Sequence, residues 1–284
     1  GNSILNRNDG SNKRPNNAYN GNDLNSDFSM QFINIDNGAT TGIFNSSSAN
    51  LAVPNSNAPS ASCFKIVYAG FYCGAVKKGT PPITKVKFKM ATGGYNDITG
   101  TVIHDAGTTA VGTSFPYACY ADVTSLVTGV GNPNPQGAYT IANVSSAVGG
   151  NGGTGLSAGW SLFIVYEDPK LPAKSITSFD GFSAISATVN LDIPVSGFRT
   201  IPTGPVRAKF AFSALEGDKG ISGDYLTING SVVSATNGSG NSIRGTNNFF
   251  NSSVTFIDPV TLTTENFLNR TPASTNTLGY DAGI

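Results

Sequence analysis

Ala158 to Phe182, AGWSLFIVYEDPKLPAKSITSFDGF, decides how this chain folds. It carries the only Trp, Trp160, in an apolar run ending at Tyr166, then a turn bounded by Pro169 and Pro172, then the start of a second strand. Trp160, Leu162, Ile164 and Tyr166 share one parity; Ser161, Phe163, Val165 and Glu167 share the other. A period of two marks a β-strand with one strongly packed face and one mixed face. The run falls far short of the ~20 residues a membrane-spanning helix needs.

Outward from this strand the pattern repeats. Ser29 to Ile35 alternates and is expected to be a first strand. Cys63 to Cys73 (CFKIVYAGFYC) is apolar on both parities and reads as a central strand buried on both sides. In Ile83 to Met90, Val86, Phe88 and Met90 face one way and Lys85, Lys87 and Lys89 the other, which predicts a half-solvated strand. Tyr117 to Val127, Ala138 to Val144, Ile185 to Val195, Arg207 to Ala214 and Ser253 to Thr264 read as further strands. In Ile185 to Val195 the apolar set Ile185, Ala187, Val189, Leu191, Ile193 and Val195 demands one buried face. Asn229-Gly230 between apolar residues is a hairpin signal.

Composition agrees. Charged residues make up 12% of the 284 residues, about half the usual share, so solubility falls to Asn, Ser and Thr. The 34 Gly and 15 Pro supply turns. No amphipathic helical repeats separate the strands, so the expected fold is all-β, a β-sandwich or jelly-roll of two packed β units. DPKLPAK, Asp168 to Lys174, is the best internal boundary, because its prolines interrupt sheet hydrogen bonding. The expected organisation is an Asn-rich arm or tail over 1–27, a first β-sandwich unit over 28–170, and a second over 171–284, incomplete at its C-terminal end. Formal net charge is +0, and no basic cluster or aromatic-plus-basic stripe occurs, which sets nucleic acid aside.

Few residues suggest chemistry. His104 is the only histidine and lacks a G-x-S-x-G elbow, so it reads as a strand-end or loop residue. Glu167-Asp168 has no identifiable carboxylate partner for glycosidic chemistry. Gly149 to Gly155 lacks the Lys-Ser/Thr of a phosphate loop. The three cysteines have no metal-ligand spacing. Cys63 and Cys73, at the ends of one strand, would lie roughly 33 Å apart at ~3.3 Å per residue, too far for a disulfide. Cys73 and Cys119 remain as a pair, with buried free thiols as the alternative. Glu216, Asp218 and Asp224, in a glycine-rich connector near Asn247 and Asn248, offer hard oxygen donors on a turning backbone. A structural calcium site (Ca2+) and a solvated acidic turn are the two readings.

Seven motifs carry a family likeness. ADVTSLVTG (Ala121 to Gly129), AYTIANV (Ala138 to Val144), AGWSLFIVYEDP (Ala158 to Pro169), ITSFDGF (Ile176 to Phe182), GFRTIPTGPV (Gly197 to Val206), EGDKGISGDYLTING (Glu216 to Gly230) and NTLGYDAGI (Asn276 to Ile284) occur in that order. Together they resemble the N-terminal, non-repetitive region of large bacterial cell-surface proteins, including the gliding-motility adhesins of the Bacteroidetes. Two departures stand out: Cys73 occupies a place where the family commonly has Trp, and family members continue for further strands. The resemblance implies a non-enzymatic adhesin fragment for attachment or gliding motility. It implies export by type IX secretion, with a signal peptide removed before Gly1, and display outside the cell. The expected partners are a substratum or a cell-surface glycan or protein, and the secretion and motility machinery of the outer membrane. Self-association is expected if the missing strands are supplied by another subunit, with the arm before Phe28 as donor. That makes a filament or pilus-like subunit the first alternative. A glycan-binding module is the second, because Tyr and Asn on loops can stack on and hydrogen-bond sugars.

Overall fold

The computed structural model describes residues 1–8, 15–52, 65–79, 81–108, 114–129, 135–150, 152–169, 171–258 and 260–284. The fold is all-β. Its first part contains β1 (Asn2–Ser3), β2 (Leu5–Asn8), β3 (Ser29–Phe32), β4 (Ser46–Leu51), β5 (Lys65–Ala75), β6 (Lys85–Lys89), β7 (Asn96–Thr99), β8 (Thr101–Asp105), β9 (Tyr117–Asp122), β10 (Gly137–Ala142) and β11 (Ala158–Glu167). Beyond a long strandless stretch come β12 (Phe212–Gly217), β13 (Thr227–Ile228), β14 (Ser231–Val232), β15 (Ala235–Thr236), β16 (Ser242–Arg244), β17 (Thr255–Ile257), β18 (Thr264–Asn266), β19 (Arg270–Thr271) and β20 (Gly279–Gly283).

Two antiparallel five-stranded sheets carry the body. The front sheet runs β1-β11-β5-β9-β8 and the back sheet β19-β4-β10-β6-β7. Their inner faces share one core. Trp160 is 1% exposed, and its indole N–H crosses the interlayer to donate to Ser47 Oγ at 2.9 Å. Phe71 of the front sheet meets Phe88 of the back sheet edge to face at 6.0 Å, and Phe88 meets Tyr139 at 5.8 Å. The lysines of β6 lie opposite Val86 and Phe88, as their parity predicts.

A second, smaller core gathers Val254, Tyr280 and Ala282. Beside it the buried Arg244 guanidinium donates to Asp281 Oδ1 at 2.9 Å, to Phe249 O at 2.7 Å and to Ser253 O at 2.9 Å. Asp281 also accepts from the backbone N–H of Ser252 and Ser253. The pair is thereby saturated with partners, as a buried ion pair must be.

Four expectations need correction. Residues 1–8 are not an arm: Ile4 and Leu5 are core residues, and Ser3 pairs with Gly159. Asparagines make this burial feasible by serving as backbone surrogates. Asn2 Nδ2 donates to Ser48 O and Thr271 O at 3.0 Å, and Asn6 Nδ2 to Pro15 O at 2.7 Å.

The division at 170/171 is crossed by the back sheet, since β19 pairs with β4, and by Tyr280, which hydrogen-bonds Ser161 and packs where Gly159 leaves room for its ring. Thirdly, Ile185 to Val195 forms no strand. Residues 172–211 are exposed apart from a half-buried Phe182, because no other described segment covers their apolar parity. Finally, two expected strands differ in their bounds: the one over Arg207 to Ala214 starts only at Phe212, and the one over Tyr117 to Val127 ends at Asp122 and gives way to a helical turn over Thr124–Val127.

The Asn229-Gly230 hairpin is present, with φ of 50° and 78° at its two central residues, joining β13 to β14. Cys63 and Phe64 of the expected central strand, and Pro259 of the expected Ser253 to Thr264 pair, lie outside the described residues.

Candidate functional site: the aromatic outer face of the front sheet

The site begins with a local irregularity in β5. Tyr166 stands opposite Ile66 and Val165 opposite Tyr68, so β5 carries one extra residue at Val67. This bulge flips the parity of the remainder of the strand. Ile66 points inward, yet Tyr68, Gly70 and Tyr72 point outward, while Ala69, Phe71 and Cys73 fill the core. The outer face is therefore aromatic at alternate positions and bare at Gly70.

The neighbouring strands complete it. Register places Tyr120 of β9 beside Tyr72, and Phe163 of β11 beside Gly70. The Tyr72 ring lies 5.0 Å from Tyr120 and 5.6 Å from Phe163, the latter edge to face. Tyr68 folds over Gly70, where any β-carbon would collide with its ring, and its hydroxyl donates to Tyr120 Oη at 3.3 Å.

Beyond the Asp168 turn the chain crosses this face as a strap. Tyr72 donates its hydroxyl to Asp180, and Phe182 stacks flat on His104 at 4.2 Å. Between strap and sheet lies a cleft of about 270 Å³ lined by Tyr68, Val165, Ile176, Ser178 and Asp180. Burial, and then the Asp180 carboxylate, hold the Tyr72 hydroxyl above its ordinary range. Its hydrogen bond to Tyr68, reinforced by burial, does the same for Tyr120. Both phenols thus stay protonated at neutral pH, and the face can stack, donate and accept hydrogen bonds without gaining or losing charge.

The residues singled out from sequence take other roles. His104 lies on the edge strand β8 under Phe182, while Asp105 pairs with Lys78 at 2.9 Å. Glu167 reaches Lys65 at 3.5 Å on an exposed rim. Trp160 is the interlayer anchor. Cys73 and Cys119 stand directly opposite each other on β5 and β9, buried and with free thiols. Burial pushes both thiols up, Cys119 to about 11.

The three carboxylates proposed for calcium part company. Glu216 turns to Asn25 Nδ2 at 3.1 Å, and Asp224 accepts the backbone N–H of Phe249 and Phe250 at 2.8 and 2.7 Å. Asp218 Oδ1 and Asn248 Oδ1 are buried without hydrogen-bond partners. Among the described residues no group of three or more His, Cys, Asp or Glu is placed to hold a metal ion, so the Glu216, Asp218 and Asp224 triad is not assembled.

Sequence reasoning missed Tyr68, Tyr72, Tyr120, Phe163 and Asp180. The available signal was the alternation Tyr68-x-Gly70-x-Tyr72-x-Gly74, aromatic and bare on one parity, which suits an accessible face better than a core.

No family model matches the chain, and no curated protein or solved structure matches it. Among the described residues no helix is long and apolar enough to cross a membrane.

Proposed function

We propose that this chain is an attachment module of a large cell-surface protein, displayed outside the cell by type IX secretion and gripping a substratum. Its contact surface is the aromatic outer face of the front sheet together with the strap that crosses it. The observation that supports this reading most directly is the cluster of Tyr68, Tyr72, Tyr120 and Phe163, placed outward on a rigid five-stranded sheet. Aromatic side chains offer large contact area at small conformational cost. Beads coated with the whole chain, driven by flow over glass, polystyrene and polysaccharide films, are expected to be held where bare beads are swept away. Equal loss of both kinds of bead would overturn the reading.

A second reading, assembly with further copies of the same chain, is favoured by the exposed alternation from Ile185 to Val195. Ile185, Val189, Leu191, Ile193 and Val195 are each between 43% and 67% exposed, an apolar edge that another strand would cover. Mass photometry at micromolar concentration is expected to show dimers or larger species; a strict monomer would remove this second reading.

A further inference from the structure

We propose that the cleft between front sheet and strap is a subsite for one neutral pyranose ring of a glycan. This rests on the attachment reading and names the chemistry of its contact surface. Three observations carry it.

The size is right. A cleft of about 270 Å³ is just below the range of pockets that enclose drug-sized ligands, and suits a single sugar ring.

The lining is divided as a sugar requires. A pyranose presents C–H groups on its faces and hydroxyls around its rim. Tyr68, Val165 and Ile176 supply apolar and aromatic surface for the first. Ser178 and Asp180 supply a hydroxyl and a carboxylate for the second. A carboxylate is a strong acceptor for sugar hydroxyls. Asp180 is already oriented by the Tyr72 hydroxyl, so little ordering remains to be done on binding.

The charge selects among sugars. None of the five lining residues is basic, and Asp180 places a negative charge at the mouth. Uronic and sialic acids are therefore repelled, whereas neutral hexoses and N-acetylhexosamines are not.

The test uses the whole chain, with methyl β-glucoside, methyl β-galactoside, N-acetylglucosamine and glucuronic acid as probes. Saturation-transfer NMR and calorimetric titration are expected to show saturable, millimolar binding of at least one neutral sugar and none of glucuronic acid. Tyr68→Ala and Asp180→Asn are each expected to weaken that binding about tenfold or more. Asp180 lies on the exposed strap, so Asp180→Asn keeps the test valid even if Tyr68→Ala disturbs the sheet.

The proposal is overturned if no neutral sugar binds, if glucuronic acid binds as well as the neutral sugars, or if Asp180→Asn binds like the parent. The bead assay separates this from the broader reading. Beads held by a chain that binds no sugar would remove the subsite and leave attachment standing. Sugar binding by a chain whose beads are swept away would support the subsite and remove attachment.

Discussion

Trp160 shows how one side chain ties two layers together. It fills the interlayer and also donates to Ser47, so its loss forfeits packing and its partner's loss strands a buried N–H. Trp160→Ala is expected to cost about 3–5 kcal/mol, and Ser47→Ala about 1–3 kcal/mol, read by urea denaturation. Arg244 and Asp281 behave differently, because besides pairing with each other they satisfy buried backbone groups, Arg244 the carbonyls of Phe249, Ser253 and Ala282 and Asp281 the N–H groups of Ser252 and Ser253. Arg244→Met alone is expected to cost about 3–5 kcal/mol, and replacing Asp281 by Leu as well should recover little of that loss, because the carbonyls that Arg244 caps and the Ser252 and Ser253 N–H groups are then left unpaired.

Glu216 links a residue to solution pH. Burial raises its carboxyl to about 7, well above the ordinary 4.5. Between those values the folded chain keeps a proton that the unfolded chain has released. This contribution to stability is full below about 4.5 and is lost as pH rises through about 7. It is worth roughly 3 kcal/mol. Asp218, raised to about 6 by burial and then by the Asp281 carboxylate, acts with the same sign. Melting temperature is therefore expected to fall from pH 5 to pH 8, and Glu216→Gln to flatten that fall. An unchanged slope in the variant would contradict the assignment.

The strands from Lys85 to Lys89 and from Ala158 to Glu167 were legible because an uninterrupted period of two is all they use. The Asn229-Gly230 turn was legible because its backbone demands positive φ. The aromatic face was masked, since the extra residue at Val67 inverts parity within β5 and makes the Tyr68-x-Gly70-x-Tyr72 alternation read as continuous with the inward Ile66. Residues 1–8 mislead because asparagine counts as a surface residue, although here its amide replaces missing ladder partners. The Ile185 to Val195 alternation is a true pattern without burial, since a pattern states a need for cover and does not supply it. Changing Val189, Leu191 and Ile193 together to Ser is accordingly expected to leave the melting temperature nearly unchanged, as surface substitutions do, while dispersing any oligomers seen by mass photometry. A sharply lowered melting temperature would show that the segment is packed within the single chain.

The two five-stranded sheets form a sandwich-like body whose edge strands β1 and β19 are tied together. β1 borders the front sheet and β19 the back sheet, and Arg270 joins them by donating to Asn2 Oδ1 at 2.7 Å. This tie links the two sheets beneath the contact face proposed above. Flow retention of beads carrying the whole chain, compared with beads carrying a Tyr72→Ser, Phe163→Ser double variant of unchanged circular dichroism, tests this most directly. An outer contact face predicts that the variant beads are swept away at shear that the parental beads withstand. Variant beads held as firmly as the parental ones would contradict it.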